Sequence, residues 1–309
     1  RTRHSTLGGM LDPRLLYTFN PTLWEELRGR RPVLVHFLDG YVDAGMVGRT
    51  LTTHILESCA SEVLVEFDHD QLHDYRSRRP TMVFDTDQWK SAETFSLAMH
   101  RVIAPTREAF VLLTGPEPDS QWERASAAVT GLAQRLDVRF AMTSHGIPTG
   151  VPHTRPSRIT EYATNPDLIK SQNPAWAGRI EVPGSFGAFL EYRLGRASID
   201  ALGLAVNVPH YLSQAPFFQA ALAALRRLNE ATGLNLELGD LVEKAAANLQ
   251  EIQTEVAASD EVGEVVSQLE RQYDQASEDS AVPSADEIGA ELERFLAEQN
   301  KNDDDESGT

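Results

Sequence analysis

The sequence predicts an α/β protein with a mostly parallel sheet flanked by helices and an all-helical, acidic C-terminal extension. Up to about residue 238, apolar runs typical of strands buried on both faces alternate with segments of helical length. From Gly239 onward the pattern is purely helical. Residues 239–309 hold 20 acidic and 4 basic residues, so they carry most of the formal net charge of −18.

These changes divide the 309 residues into three predicted parts. Residues 1–238 are expected to form the α/β domain, and residues 239–299 the helical C-terminal extension. Residues 300–309, "KNDDDESGT" with the preceding Asn, are expected to be a disordered acidic tail because they lack apolar side chains.

The elements of the α/β domain follow in order. The run "VLVHFL" at 33–38 predicts a buried strand, and Asp43 is placed to cap a helix over 44–58. Residues 81–85 and 94–103 are expected to form strands or a hairpin. Further strands are predicted at 63–67, 109–115, 138–146 and 201–208, and further helices at 120–136, 185–196 and 215–232.

Three helices are predicted in the extension. The first follows Asp240 and Glu243, which are close to a capping box, and its apolar residues recur at helical spacing. A second apolar stripe begins at Val262, and Ser284 with Glu287 marks the start of the third helix. Each stripe is too short for a core of its own, so it must cover the domain or a partner subunit.

Composition limits the location and the partners. The single cysteine, Cys59, rules out an intramolecular disulfide, and no run of about 18 apolar residues could cross a membrane. We therefore expect a cytoplasmic protein. Its acidic surface disfavours nucleic acid and anionic lipid, and no cofactor is expected.

The glycines of "DGYVDAGMVG" lie between the first strand and the first helix. Gly40, Gly45 and Gly48 do not have the spacing of a dinucleotide-binding loop, and no Lys-Ser or Lys-Thr follows them. A strand followed by a loop and a helix is nevertheless a suitable setting for a ligand. Two interpretations remain open, namely a phosphate site and a tight turn that brings helix and strand together.

The loops after the predicted strands are rich in glycine, proline and histidine. In an open parallel sheet they meet at one edge, where ligands bind. We therefore predict one crevice with candidate ligand residues Asp43, Glu117, His153, Arg155 and His210.

A weaker signal is "HDQLHDYRSRRP" at 69–80. His69 and His73 are four residues apart with aspartates nearby, but the motif lacks the glutamate of metalloprotease helices, and no metal is expected. The arginines that follow either hold an anion or pair with the aspartates, and pairing is favoured.

Six motifs in sequence resemble the bacterial, actinobacterial-type branch of the proteasome assembly chaperone 2 family. They are "GYVDAG", "FDHDQLHDYRSRRP", "TGPEPDSQW", "VPHTRP", "VPHYLSQAP" and "LGDLVEKA", and the resemblance covers about residues 34–296. It implies a phosphorylase/hydrolase-like α/β fold with a helical C-terminal extension. It also implies a homo-oligomer, for which a trimer is the first expectation because related phosphorylase-like folds assemble in threes and sixes.

The eukaryotic and archaeal members of this family help to assemble proteasome rings. Their docking often uses a C-terminal hydrophobic–Tyr–any tripeptide, whereas this sequence ends "ESGT". Proteasome docking through the C-terminus is therefore not expected.

Two functions follow. The first is a non-enzymatic assembly, scaffold or protein-binding role. The second is a small-molecule-binding protein or a hydrolase- or phosphorylase-type enzyme that uses the strand-end crevice. The second would take a phosphate-bearing or amide substrate, with His153 or His210 as acid–base and Arg155 holding an anion.

Overall fold

The computed structural model describes residues 11–170 and 181–279 of the chain. Ten strands lie in these residues, namely β1 (Tyr17–Phe19), β2 (Val33–Asp39), β3 (Ala60–Phe67), β4 (Met82–Asp85), β5 (Gln88–Ala92), β6 (Ala98–Ile103), β7 (Ala109–Pro116), β8 (Phe140–Thr149), β9 (Ile159–Ala163) and β10 (Ala201–Pro209). Eight of them form one sheet in the order β1-β3-β6-β7-β2-β8-β10-β9.

The four central strands of this sheet, β7, β2, β8 and β10, run parallel to one another. On one side β6, β3 and β1 follow, each antiparallel to its neighbour, and on the other side β9 is antiparallel to β10. The predicted α/β fold with a mostly parallel sheet is thus confirmed. The sequence analysis missed β1 and β9, which are short edge strands without a continuous apolar run.

Helices cover both faces of the sheet. They are α1 (Pro21–Leu27), α2 (Val47–Ser58), α3 (His69–Leu72), α4 (Trp122–Arg135), α5 (Phe186–Arg196), α6 (Phe218–Thr232), α7 (Leu241–Ala257) and α8 (Asp260–Asp279). One face packs against α2, α6 and α7, and the other against α1, α4 and α5. Along β2, Val33 and Val35 face the first layer whereas Leu34 faces the second, which explains the continuous apolar run.

Two predicted elements differ from the structure. The helix expected from residue 44 begins at Val47, because the 3₁₀ turn Ala44–Met46 comes first. Residues 81–85 and 94–103 do not form a hairpin with each other. Instead β4 pairs with β5 in a separate two-stranded hairpin, and β6 lies in the main sheet.

The helical extension packs on the α/β domain. Leu241, Ala245 and Ile252 of α7 belong to the same buried cluster as β2 and α6, and Val266 and Leu269 of α8 are also buried. The third predicted helix, with Ser284 and Glu287, and the tail at 300–309 lie outside the described residues. None of the described helices is long and apolar enough to cross a membrane.

Candidate functional site

A cavity of about 580 Å³ lies at the carboxyl ends of β2, β7 and β8, beside the start of α5. Side chains from the end of β2 and the following loop, from residues 143–149, from Tyr162 on β9 and from residues 182–188 line it. This is the edge at which open parallel sheets bind ligands. The volume lies within the usual range of small-molecule sites.

The inner wall of the cavity is a row of residues across three strands and the edge strand. His36 of β2 lies opposite Thr143 of β8, which lies opposite Gly203 of β10, and Gly203 is paired with Tyr162 of β9. A Cβ atom on Gly203 would collide with the ring of Tyr162. The absence of a side chain at Gly203 therefore allows the phenol ring to lie across β10.

Burial keeps the histidines of this wall, and the Glu191 carboxyl behind it, uncharged. It lowers the pKa of His36 to about 4, assisted by the neighbouring His145. It also lowers the pKa of His145 to about 4. Glu191 of α5 is hydrogen-bonded to Tyr162, and burial raises the pKa of its carboxyl to about 8. At pH 7 both imidazoles are neutral and the Glu191 carboxyl is mainly protonated.

Glu117 brings a carboxylate to the same cavity. It directly follows β7, its backbone N–H donates to the carbonyl of Asp39 at 2.9 Å, and its side chain is 9% exposed. Its Oε2 accepts a hydrogen bond from the N–H of Phe186, the first residue of α5, at 2.8 Å. The carboxylate is thus held against the positive end of the α5 dipole.

Asp43 lies in a neighbouring groove that shares residues 40–42 with the cavity and also contains Arg49 and Arg78. Its carboxylate accepts N–H bonds from Gly48 at 2.9 Å, from Arg49 at 3.2 Å and from Gly146 at 3.2 Å. The predicted cap of a helix starting at residue 44 is wrong, because the 3₁₀ turn moves the helix start to Val47. The N–H groups that Asp43 accepts from α2 therefore lie five and six residues on. Burial raises the pKa of Asp43 despite these bonds.

The geometry of the glycine loop favours the tight turn over the phosphate site. Gly45 has a φ of 68°, a conformation that glycine adopts without strain, and its backbone packs against Val208 and Phe217. The N–H groups at the start of α2 are already bonded to Asp43. The protein's own carboxylate therefore occupies the place that a phosphate would take.

The other three candidates do not line the cavity; they lie near α8 and Tyr211. His153 is buried with its Nδ1 2.7 Å from the Tyr211 hydroxyl, and burial lowers its pKa. His210 is exposed and packs edge-on against Tyr211 at a ring-centroid distance of 5.4 Å. Arg155 makes a two-pronged ion pair with Asp274 at 2.7 and 2.8 Å. The assignment of all five residues as ligand residues remains a prediction.

The histidine and arginine segment at 69–80 makes a hydrogen bond within itself, from the Tyr75 hydroxyl to Asp70, and an ion pair outside itself. Arg78 pairs with Asp119 at 3.0 Å, and not with the side chains of the aspartates that precede it. Among the described residues, no group of three or more His, Cys, Asp or Glu side chains is arranged to hold a metal ion.

Sequence reasoning missed three residues of the cavity wall, which are His36, His145 and Tyr162, and it missed Glu191, which is hydrogen-bonded to Tyr162 behind the wall. One signal was available, since His36 interrupts the run "VLVHFL" and a polar side chain inside a doubly buried strand needs a reason. Glu191 carried no such signal, because an acidic residue in a helical segment normally faces solvent.

This fold and cavity define the molecule as an α/β protein with a strand-end pocket and docked C-terminal helices. The model of the PAC2 family matches residues 37–256. The chain therefore belongs to the PAC2 family, as the motifs indicate. No functionally curated protein matches the chain.

Solved structures agree with this assignment. A Mycobacterium tuberculosis protein of unknown function is 39% identical with a TM-score of 0.80, over 85% of this chain and 92% of the other. A Corynebacterium glutamicum protein of unknown function is 31% identical with a TM-score of 0.78, over 84% and 97% of the two chains. A proteasome-assembly chaperone homologue from M. tuberculosis is 25% identical with a TM-score of 0.70, over 76% and 99%.

Proposed function

We propose that this chain is a protein-binding assembly factor that works as a homo-oligomer. Membership of the PAC2 family supports this proposal, since one relative is described as a proteasome-assembly chaperone homologue. The proposal has two components, a role in assembling other proteins and self-association. Self-association can be tested first, because the structure offers a candidate surface for it.

The exposed apolar surface of the β4–β5 hairpin is the main support for the proposal. Its apolar side chains are exposed, by 46% at Met82, 50% at Val83, 56% at Phe84 and 62% at Trp89. Phe84 and Trp89 pack against each other with ring centroids 5.0 Å apart. Apolar patches of this kind mark interaction surfaces, and a two-stranded hairpin is marginally stable on its own.

A second copy of this chain is the occupant that we propose for this surface. The hairpin forms a sheet of only two strands within the described residues, so its outer edges offer N–H and C=O groups to a further strand. Every copy carries the same hairpin, so copies arranged around a symmetry axis each contribute it to a contact with the next copy. Three copies is the number we propose, on the resemblance to phosphorylase-like folds.

Light scattering of the full chain tests this proposal. We expect the wild-type mass at micromolar concentration to be about three times the 34.2 kDa of one chain. The double variant Phe84→Ser, Trp89→Ser removes the aromatic pair and should shift the mass toward the monomer, because a few large side chains at the centre of an interface contribute most of its binding energy.

Lys90→Ser on the same hairpin is the matched control, since Lys90 is exposed but adds no apolar surface. It should leave the mass unchanged. A wild-type mass near 34.2 kDa would overturn self-association. An oligomer that persists in the double variant would place the interface elsewhere.

A further inference from the structure

The strand-end cavity opens to solvent through an apolar mouth. Tyr41 and Val182 both line the cavity, and they are 62% and 70% exposed. Further in, the sides are formed by Leu38, Val42 and Ile147. Exposed apolar surface of this kind is typical of an interaction site. Each copy of the chain therefore presents an exposed apolar cavity as well as the exposed apolar β4–β5 hairpin.

We infer that the hairpin of one copy docks into the strand-end cavity of the next copy, and that the indole ring of Trp89 is the side chain that enters. This inference rests on the proposed self-association and names the surface of the second copy that receives the hairpin. Hairpin and cavity are different surfaces, so the contact is head-to-tail. Repeated around an axis it closes into a ring, as the proposed trimer requires.

The hairpin begins close to the mouth of the cavity. Arg78 lines the groove that shares residues 40–42 with the cavity, and β4 begins four residues later. Every side chain of β4 and β5 is exposed, and no hairpin residue is among the described residues that line the cavity of the same chain. The strands of four and five residues reach about 15 Å. The hairpin thus projects from its own domain and is placed to reach a neighbouring copy.

The polar chemistry of the cavity matches an indole ring. Glu117 is the one formally charged side chain among the lining residues that the structure describes. Its Oε2 accepts the N–H of Phe186, whereas its Oε1 accepts no hydrogen bond within the described part of the chain. An indole carries a single N–H donor on an otherwise apolar ring. Trp89 can therefore bury its ring and donate to Oε1, which Phe84 cannot do.

The aromatic wall of the cavity also suits this ring. The cavity has a volume of about 580 Å³, and the rings of Tyr162 and His145 lie edge-on in its wall with centroids 6.2 Å apart. Aromatic side chains pack against such rings edge-on or offset. On the hairpin, Trp89 is 62% exposed and contacts Phe84. Docking would cover this aromatic pair and the apolar mouth at the same time.

Filling the cavity tests the inference without changing the hairpin. Ala188 lines the cavity and is exposed, so Ala188→Trp places the chain's own indole where we expect that of the next copy. Sedimentation velocity of the full chain should show loss of the oligomer, while circular dichroism shows the fold retained. Ala247→Trp, at an exposed position on α7, is the matched control and should leave the oligomer intact.

A double-mutant cycle tests the hydrogen bond and does not depend on the filled cavity. Trp89→Phe removes the indole N–H but keeps an aromatic ring. Glu117→Gln keeps an oxygen for the Phe186 N–H and turns its NH₂ group toward the indole. Each should raise the concentration at which the oligomer dissociates about tenfold, and the double variant should be no weaker than either one. Glu243→Gln, an exposed carboxylate on α7, is the control and should have no effect.

The outcomes separate this inference from the proposed function. An oligomer that is lost in Phe84→Ser, Trp89→Ser but persists in Ala188→Trp would overturn the cavity as the docking site and leave self-association through the hairpin standing. Additive effects of Trp89→Phe and Glu117→Gln would overturn the contact between indole and carboxylate. A monomeric wild type would overturn the proposed self-association and this inference with it.

Discussion

Glu191, buried behind Tyr162, makes the folded protein sensitive to alkaline pH. Burial raises the pKa of its carboxyl from 4.5 to about 8, so the folded state holds this proton more tightly than the unfolded chain. Between these two values the folded state binds more protons, and the free energy of unfolding falls as pH rises. His36 and His145 act in the opposite direction, because their lowered pKa values make the unfolded chain bind more protons between about pH 4 and 6.5.

The window above about pH 6.5 therefore isolates Glu191. We predict that Glu191→Gln gains stability relative to wild type by about 1.5 kcal/mol as pH rises from about 6.5 to about 8, because glutamine cannot ionise. Glutamine can still accept the hydrogen bond of Tyr162. Urea unfolding at several pH values measures this difference.

Glu251→Gln is the control, since Glu251 is an exposed carboxylate on α7. Its stability should follow that of wild type across the same window. Parallel pH profiles for the Glu191 variant and wild type would show that the buried carboxyl does not titrate as described.

At the scale of single residues, the sequence predicted where a side chain lies in the fold better than it predicted what that side chain binds. Glu117 follows β7 directly and Asp43 follows β2 after three residues, and both lie at the strand-end edge because chain order and parallel pairing bring those ends together. His153 and Arg155 also follow a strand, but the acidic helix α8 engages their loop. That contact joins residues more than a hundred positions apart, and no local pattern reports it.

At the scale of secondary-structure elements, the sequence predicts the strands that are buried on both faces more reliably than strands without a buried face. The strands β2, β7, β8 and β10 are buried on both faces, so a single apolar run marks each of them. The sequence predicts β4, through the apolar residues of 81–85, but not β5, because the β4–β5 hairpin has no buried face to give β5 a pattern.

The attachment of α8 depends on charged and aromatic contacts to the loop at 153–158. Arg155 pairs with Asp274 and with Glu270, the latter at 3.3 Å, and it lowers the pKa of Asp274. The Tyr273 hydroxyl donates to the carbonyl of Pro156 at 2.9 Å, and the guanidinium of Arg158 lies 4.1 Å from the ring centre of Tyr273. Partly exposed ion pairs contribute little individually, so this helix should detach before the core unfolds.

We predict that Arg155→Ala loosens α8 without weakening the core. Hydrogen exchange over residues 260–275, followed by mass spectrometry, should become about fivefold to tenfold faster, as expected for the loss of a two-pronged ion pair. Exchange in β2 and β8 should not change. Arg271→Ala removes an exposed arginine of α8 and should leave exchange of the helix near the wild-type rate. Equal rates in both variants would mean that Arg155 does not retain the helix.

On the scale of the whole molecule, the acidic extension is less separate than its composition suggests. The predicted boundary at residue 238 follows a change in charge, but the buried cluster continues through Leu241, Ala245 and Ile252 into α7. The apolar stripes of the extension thus cover the chain's own domain. The argument for an oligomer therefore depends on the family resemblance and the exposed hairpin.

Two truncations separate the roles of α7 and α8 in the whole molecule. Ending the chain after Ser259 removes α8 and should leave the cooperative unfolding transition and the oligomer intact, since the hairpin is unaffected. Ending it after Leu238 also removes the three buried side chains of α7, which contribute on the order of 5 kcal/mol by apolar burial, and should cause unfolding or aggregation. Urea unfolding and light scattering on both proteins measure these outcomes. Loss of the oligomer in a folded chain ending at Ser259 would move the proposed interface from the hairpin to α8.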